Sequence, residues 1–502
     1  MCFRNSLLAV AGTAAFLLLG SCGGGKITVT GELHEAVTVE PDYKDVTVPP
    51  NIAPLNFMAR LEGAEAETCV IIEGSRSGTS LQVRARAGKA FDIPQGAWRK
   101  LLEENRGADI LLTVCRKEAD AWKAYNPFPV HVAEEDIDPY MAYRLVQPGY
   151  TYWNRMGIYQ RNLETYEQEA VYENNLTDYN CVNCHSFPAG NPEKMLFHMR
   201  AKNAGTVLLR GSRVEKSNTK TPETLSALVY PYWHPSGNYV ALTVNDTRQA
   251  FFANQSGDVL EVFDNESDVM IYDLDRQEIF SSPLLRSTGS LETYPVFSPD
   301  GKSLYFCSAE AVDNLPMTYK EVKYSLLRID IDVESRTFGT QVDTLFNAKV
   351  EGRSLSFPRI SPDGRYMAVT LHGFGCFPIW HHDADLYLID LTDGSMKPLE
   401  EVNSDTATDS YHSWSGNGRW MVFSSRRLDG LYTRPYFTYI DKEGRAHKPF
   451  LLPQKNPAEY YESLFFSYNI PELIAGKIEV NPQHIATAMK ETEGTDVHYA
   501  SK

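Results

Sequence analysis

Short runs of alternating hydrophobic and polar residues recur at a regular spacing through the second half of the chain. Four segments share one plan, in which an aromatic residue opens the run and a glycine ends a turn: Tyr230–Gly237, Tyr294–Gly301, Phe357–Gly364 and Tyr411–Gly418. An alternating stretch follows each of them: Tyr239–Val244, Ser303–Ser308, Tyr366–Leu371 and Trp420–Ser425. Alternation with a period of two predicts half-buried strands, and the glycine permits the positive φ of a tight turn. Each repeat therefore predicts an antiparallel strand pair.

A further strand, which ends in Asp-Leu or its equivalent, follows each pair: Val269–Leu274, Leu326–Ile331, Leu386–Leu391 and Tyr436–Asp441. Repeated four-stranded units of this length are typical of β-propeller blades. The turn-ending glycines mark five blades: Gly190, Gly237, Gly301, Gly364 and Gly418. We expect a sixth blade from Tyr461–Val480 together with a strand that precedes residue 180. The predicted fold class is all-β, with a propeller, six-bladed by this interpretation, over residues 180–485.

A smaller domain is predicted before the propeller. Residues 49–128 contain short alternating runs separated by Gly, Asp and Asn, which is typical of a small β-sandwich, and one helix over Gln95–Glu104. Residues 22–48 are interpreted as a tether, the aromatic and polar residues 129–179 as a connector, and residues 486–502 as a flexible tail.

Candidate chemistry centres on Cys181-Val182-Asn183-Cys184-His185, which has the Cys-x-x-Cys-His spacing of covalent c-type haem attachment. In such a site two thiols add to the haem vinyl groups and the adjacent His binds the iron. The alternatives are a Cys181–Cys184 disulfide or a zinc site that recruits His185 or His198. In the repeat frame this segment falls in the first blade, with Cys184 aligned to His412, near the central channel.

A haem iron at this site needs a sixth ligand or an open position. His198 is the leading candidate because it lies on the next predicted strand. Met199, Met195 and His412 are alternatives, and strand alternation allows only one of His198 and Met199 on a given face.

The N-terminus predicts export. Arg4 precedes an apolar core over residues 6–20, and Leu19-Gly20-Ser21-Cys22 is typical of a bacterial lipoprotein signal that is cleaved before a lipidated Cys22. The signal peptide would comprise residues 1–21. An ordinary secretory signal is the alternative. We therefore expect a lipid-anchored protein of the bacterial cell envelope, either periplasmic or outer-membrane associated.

Composition narrows the function classes. The formal net charge of −17 argues against nucleic acid or an anionic membrane surface as a partner. The sequence contains no Gly-x-Ser-x-Gly elbow, P-loop or dinucleotide fingerprint, so it does not indicate an enzyme. Of the eight cysteines, Cys69 and Cys115 fall in one predicted domain, where either a disulfide or two buried thiols would be compatible with the sequence.

The repeats resemble the TolB-like (WD-repeat-like) propeller family. Together with Arg144–Tyr150, Gly157–Leu163, Cys181–Phe187 and Phe197–Arg200, they make the chain similar to a group of exported bacterial propeller proteins, a resemblance that implies no defined activity. Two functional hypotheses follow. One is an envelope-anchored c-type haem protein for electron transfer or ligand sensing. The other is a non-enzymatic propeller scaffold that binds a protein partner in the envelope, with Cys181 and Cys184 as a disulfide or zinc site.

Overall fold

A computed structural model describes residues 26–61, 67–86, 88–148, 155–251, 260–491 and 493–500. These residues form an N-terminal β-domain and six further sheets of four or five strands. The predicted signal peptide and lipidation site at Cys22 lie outside the described residues. No helix in the described part of the chain is both long enough and apolar enough to cross a membrane.

The N-terminal domain is built on one seven-stranded sheet, which shares a hydrophobic core with a two-stranded sheet and one helix. Its elements are β1 (Val29–Glu32), β2 (Thr38–Glu40), β3 (Thr47–Val48), β4 (Met58–Arg60), β5 (Glu67–Gly74), β6 (Ser80–Arg86), α1 (Gln95–Glu104), β7 (Ala108–Glu118), β8 (Ala121–Ala124) and β9 (Phe128–Val132). Helix α1 buries Trp98, Leu101 and Leu102, which occupy one helical face. Residues 29–48, interpreted as tether, instead contribute β1, β2 and β3, because their alternating apolar residues complete this core.

The predicted connector, which was expected to give one strand to a sixth blade with Tyr461–Val480, supplies three strands of the first blade from residues 140–148 and 155–173. Its strands β10 (Tyr140–Val146), β11 (Gly157–Asn162) and β12 (Gln168–Glu173) pair in sequence. The aromatic residues that suggested a connector pack inside the blade: Tyr143 and Tyr172 are fully buried. Polar residues dominate this segment, which hid its strand periodicity.

The next five blades follow one another in chain order. Blade 2 consists of β13 (Cys181–Ser186), β14 (Lys194–Arg200), β15 (Gly205–Arg210) and β16 (Arg213–Asn218). Blade 3 consists of β17 (Val229–Trp233), β18 (Tyr239–Phe251), β19 (Leu260–Asp273) and β20 (Glu278–Phe280). Blade 4 consists of β21 (Ser290–Phe297), β22 (Ser303–Glu310), β23 (Ser325–Asp332) and β24 (Thr337–Phe346). Helix α2 (Ala348–Glu351) connects it to blade 5, which consists of β25 (Ser354–Ile360), β26 (Tyr366–His372), β27 (Asp385–Asp390) and β28 (Met396–Pro398). Blade 6 is β29 (Asp409–Trp414), β30 (Trp420–Ser425), β31 (Arg434–Tyr439) and β32 (Phe450–Leu451).

The C-terminal segment closes the ring. After α3 (Pro457–Ser463), strand β33 (Ser467–Ile474) pairs antiparallel with β10 and becomes the inner strand of blade 1. Inner strands of neighbouring blades contact each other all the way round, from β13 through β17, β21, β25 and β29 to β33 and back to β13. The prediction of an all-β fold with a six-bladed propeller is confirmed.

The last residues are ordered in this fold, contrary to the expectation of a flexible tail. Helix α4 (Pro482–Glu491) buries Ile485, Ala486 and Met489. Beyond it, β34 (Thr495–Asp496) and β35 (His498–Tyr499) pair in parallel with β16 and β20, the outer strands of blades 2 and 3. The reason is packing: the apolar face of α4 joins the core between blades 1 and 2.

Candidate functional site

Each inner strand of the propeller carries a bulge at the same place. One residue per blade has positive φ there, between 49° and 55°: Cys184, Tyr230, Tyr294, Phe357, Tyr411 and Ile470. The strand register slips at each of these points. Positive φ is uncommon for residues with a side chain, so its repetition in six blades marks a shared structural requirement. We call these six residues the throat ring because all six line one small cavity between the inner strands.

Aromatic packing narrows the throat. Ring centroids are 4.7 Å apart for Tyr230 and Tyr294, 4.5 Å for Tyr294 and Phe357, and 4.5 Å for Phe357 and Tyr411. The cavity left at the throat has a volume of about 30 Å³. Space of this size holds a water molecule or an ion rather than an organic ligand.

The residue after the throat ring is proline in four blades and histidine in two, namely His185 and His412. The structure therefore aligns His412 with His185, whereas the repeat frame aligned it with Cys184. The alignment by turn glycines was shifted by one residue in blade 2, because the segment from the throat ring to the turn glycine is one residue shorter there than in blades 3 to 6. Both imidazoles are buried, and burial lowers the pKa of each to about 3, so both are neutral at physiological pH.

The Cys-x-x-Cys-His residues occupy separate surroundings. Cys184 stands in the throat ring, whereas Cys181 is partly buried against the apolar cluster between blades 1 and 2. The His185 side chain is fully buried, with Nε2 3.4 Å from Oε2 of Glu472. Burial also raises the pKa of the Cys184 thiol, which disfavours the reactive thiolate.

The predicted axial ligands do not converge on His185. Met199 and Met195 are buried in the core between blades 1 and 2. His198 lies opposite Asn183 and has Nδ1 3.3 Å from Oγ1 of Thr206. It lines a different cavity of about 410 Å³, together with Arg200 and Lys220. As strand alternation requires, His198 and Met199 have different surroundings.

This packing does not fit a covalent haem. A ligand of that size needs a pocket of about 300 Å³ or more, and the cavity that Cys184 and His185 share has about a tenth of that volume. The two thiols also face different compartments, although both must reach one macrocycle. Nor do the described residues contain a group of three or more His, Cys, Asp or Glu side chains arranged for a zinc ion.

A larger cavity opens directly above the throat, on the side where the inner strands enter their turns. Its volume is about 310 Å³, and we call it the axial mouth. The second residue after the throat ring contributes to its floor in five blades: Ser186, Tyr232, Arg359, Ser413 and Glu472. Trp414 and His234 stand in its wall. The bulges therefore place a charged and aromatic set of side chains around one axis.

Arg359 dominates the charge of the axial mouth. Its guanidinium carbon lies 5.4 Å from the centroid of the Tyr232 ring, which belongs to blade 3, so the side chain extends from blade 5 toward the axis. Nη1 donates to the carbonyl of Pro358 at 2.9 Å. This half-buried guanidinium forms no ion pair with a carboxylate of the described residues, although its charge acts on the Glu472 carboxyl.

Glu472 is the acidic member of the site. Burial raises its pKa to about 8, against an opposing effect of the Arg359 charge. The carboxyl is therefore largely protonated at neutral pH and able to donate a hydrogen bond. Its Oε2 and the Ser413 Oγ have no hydrogen-bond partner among the described residues. The axial mouth thus combines one cation with unsatisfied polar atoms.

The other side of the throat is packed by loops. The β18–β19 hairpin of blade 3 reaches the loop after β26 of blade 5, where His381 Nε2 lies 2.6 Å from Glu261 Oε2 and both side chains are buried. Phe263 stacks on Tyr319 and Tyr319 packs against Phe374. His381 therefore joins blades 3 and 5 through a buried hydrogen-bonded contact with Glu261.

Comparison with known proteins leaves the chain without a family. No protein-family model and no curated protein matches it. Among solved structures, puromycin hydrolase matches with 12% identity over 62% of this chain and 45% of its own, at a TM-score of 0.37. A DUF4784 family protein from Bacteroides caccae matches with 10% identity over 74% of this chain and 96% of its own, at a TM-score of 0.30. Dipeptidyl peptidase 4 from Porphyromonas gingivalis matches with 10% identity over 83% of this chain and 59% of its own, at a TM-score of 0.31.

The chain spans less than half the length of puromycin hydrolase. At these scores the similarities carry no argument about function. The propeller assignment rests on the sheets of this chain, and the likeness to TolB-like proteins stays a resemblance.

Proposed function

We propose that the protein is a ligand-binding β-propeller that recognises an anionic group at the axial mouth. The observation that carries this proposal is the guanidinium of Arg359, which is half-buried in the lining of the axial mouth and forms no ion pair with a carboxylate of the described residues. Arginine in a concave site is well suited to bind a carboxylate or phosphate with two parallel hydrogen bonds. The ligand would complete the charge pairing that the protein itself leaves open.

The surrounding side chains favour a small organic anion. The cavity volume of about 310 Å³ lies at the small end of organic ligand sites. The Trp414 indole already donates to the Arg359 carbonyl at 3.0 Å, which fixes the ring in the wall and leaves apolar surface for the ligand body. A protonated Glu472 supplies a donor for a second acceptor of the ligand.

Substitution of Arg359 tests the proposal. We expect Arg359→Gln to weaken binding of small carboxylates and phosphate monoesters by about 10- to 100-fold, because a charge-assisted hydrogen bond contributes about 1.5–3 kcal/mol. Arg359→Lys keeps the charge but loses the two parallel hydrogen bonds, so its affinity for these anions should lie between those of wild type and Arg359→Gln. Titration calorimetry against a panel of both anion classes measures this.

Arg365→Gln is the matched control, since Arg365 is exposed outside the axial mouth. It should leave binding unchanged. Equal affinity of wild-type protein and Arg359→Gln, or an absence of binding across the panel, would contradict the proposal.

We further propose that the protein acts in the bacterial cell envelope, held there by a lipid on Cys22. The support is the sequence of the N-terminus alone. Cys22→Ser should abolish lipid labelling and leave the precursor uncleaved or the product released from membranes. Labelled palmitate and membrane fractionation measure both effects. A lipid-labelled, membrane-bound Cys22→Ser product would show that the anchor lies elsewhere.

Haem attachment at Cys181 and Cys184, with electron transfer or ligand sensing, stays a prediction from the spacing of the motif. We do not base the function on it, because the throat has no space for the macrocycle and the two thiols face different compartments. A pyridine haemochrome spectrum of protein exported alongside a haem-attachment system decides the question.

A further inference from the structure

Two cysteines of the N-terminal domain lie directly opposite each other. In the antiparallel pair β5–β7, Cys69 is in register with Cys115, flanked by the pair Val70 and Val114. Residues directly opposite on neighbouring strands project from the same face of a sheet. Their side chains are therefore neighbours by the geometry of the sheet, although the residues are far apart in sequence.

The surroundings of this pair are apolar and closed. Both side chains are fully buried and belong to one small cluster with Ile27, Trp122 and Ala124. Each thiol donates to a carbonyl of its own strand: Cys69 Sγ to Val70 at 3.4 Å and Cys115 Sγ to Thr113 at 3.8 Å. Neither thiol binds a polar side chain in these contacts. Nothing in the cluster holds them for metal binding or catalysis.

The spacing of opposite residues suits a disulfide. Directly opposite residues of antiparallel strands have Cα atoms about 4.5–5.5 Å apart, and disulfides span about 4.4–6.8 Å between Cα atoms. The other described cysteines lack such a partner in register. Cys181 is opposite Arg200, and Cys307 is opposite Thr293 and Leu326.

We propose that Cys69 and Cys115 form a cross-strand disulfide when the protein folds in an oxidising compartment. This proposal rests on the export proposed above. One thiolate attacks the disulfide of an oxidant, a thiol–disulfide oxidoreductase or oxidised glutathione, and forms a mixed disulfide. The second cysteine thiolate then attacks the protein sulfur of the mixed disulfide, and the oxidant's sulfur leaves as a thiolate. The cysteines lose two protons and two electrons, and the oxidant becomes a dithiol or two thiols.

The bond would fasten the domain that carries the proposed anchor. It links positions 69 and 115, which enclose β6 and α1, and restricts the unfolded chain over that loop. It also ties β5 to β7 beneath Ile27, at the start of the described chain. Since the pair is inaccessible in the folded domain, the bond forms before the cluster closes.

Peptide mapping tests the proposal on the full chain. The exported protein is denatured in an alkylating agent without reduction and digested with trypsin, which gives peptides 61–76 and 107–116. We expect these two peptides to be recovered joined, and to separate after reduction. Peptides with Cys307 and Cys376 serve as internal controls and should be alkylated without reduction. Alkylation of both Cys69 and Cys115 in the unreduced exported protein would overturn the proposal.

A refolding experiment tests the disulfide pairing independently of the proposed export. Reduced, denatured protein is refolded with a mixture of oxidised and reduced glutathione, where the joined peptides should again form; failure there overturns the pairing itself. Joined peptides in refolded protein, with free thiols in protein that is recovered from the cytoplasmic fraction of cells, would refute export and not the pairing. Wild-type protein that is denatured, reduced and refolded in reductant should melt about 5 °C or more below the oxidised protein, and the same treatment should leave Cys69→Ala/Cys115→Ala unaffected. An equal shift in both proteins counts against the bond.

Discussion

Ending the chain after Ser463 is expected to abolish cooperative folding of the propeller. The deletion removes β33, the inner strand of blade 1, and leaves β10 without its antiparallel partner. Blade 6 also loses its neighbour, since β29 and β30 both contact β33. An open ring exposes two blade faces and an unpaired strand edge, which favours aggregation. Thermal unfolding followed by circular dichroism, with size-exclusion chromatography, measures the loss.

A chain that ends after Glu491 is the control for this deletion. It removes β34 and β35, which add a fifth strand to blades 2 and 3, but keeps β33 and α4. We expect a cooperative transition at a melting temperature lowered by several degrees. If the chain that ends after Ser463 unfolds as cooperatively as wild type, closure by the C-terminal strand is not required for the fold.

Replacing Glu472 by glutamine is expected to stabilise the protein at alkaline pH. The folded-state pKa of Glu472 is raised to about 8, above the value of about 4.5 for an unperturbed carboxyl. The folded state therefore holds a proton that the unfolded state releases between these values. Stability from this group is full below about pH 4.5 and is lost as the pH rises through 8. Glutamine keeps the shape without the ionisation.

The free energy of unfolding of Glu472→Gln should exceed that of wild type by roughly 2–4 kcal/mol at pH 9, with the excess shrinking toward pH 5. Urea unfolding at several pH values measures it. Glu400→Gln, at an exposed position, should follow wild type at every pH. The acid side is governed by other groups: His185 and His412 have lowered pKa values, so stability falls between about pH 6.5 and 3 in all three proteins. A pH-independent difference between Glu472→Gln and wild type refutes the buried ionisation.

The propeller could be predicted because its blades repeat. The segment Tyr294–Gly301 and its equivalents carry both the strand alternation and the turn glycine, so local sequence contains most of the blade. Closure could also be inferred, since five turn glycines left one blade to build. Blade 1 was harder because β10, β11 and β12 lack the turn signature and take their inner strand from the other end of the chain.

The site was less accessible to sequence reasoning. The Cys-x-x-Cys-His spacing drew attention to His185, but a spacing does not specify which compartment each side chain faces, and the bulge at Cys184 decides that. Arg359 and Glu472 meet at the axis only after the ring has closed. One signal was present: Arg359 is the charged residue where the aligned repeats have Tyr232 and Val296. The buried contact of His381 with Glu261 joins blades 3 and 5, and the local sequence around either residue does not predict it.

Closure of blade 1 by both ends of the chain also sets the order of biogenesis. Tyr140 pairs with Ile474, so the contact that completes the ring spans most of the polypeptide. Contacts between residues so distant in sequence form late, because a large loop must be ordered first. A chain that emerges from its N-terminus can assemble blades 2 to 6 one after another but must wait for its last segment to finish blade 1. Until then the exposed edge of β10 is the point at which the nascent protein is most vulnerable to aggregation and proteolysis.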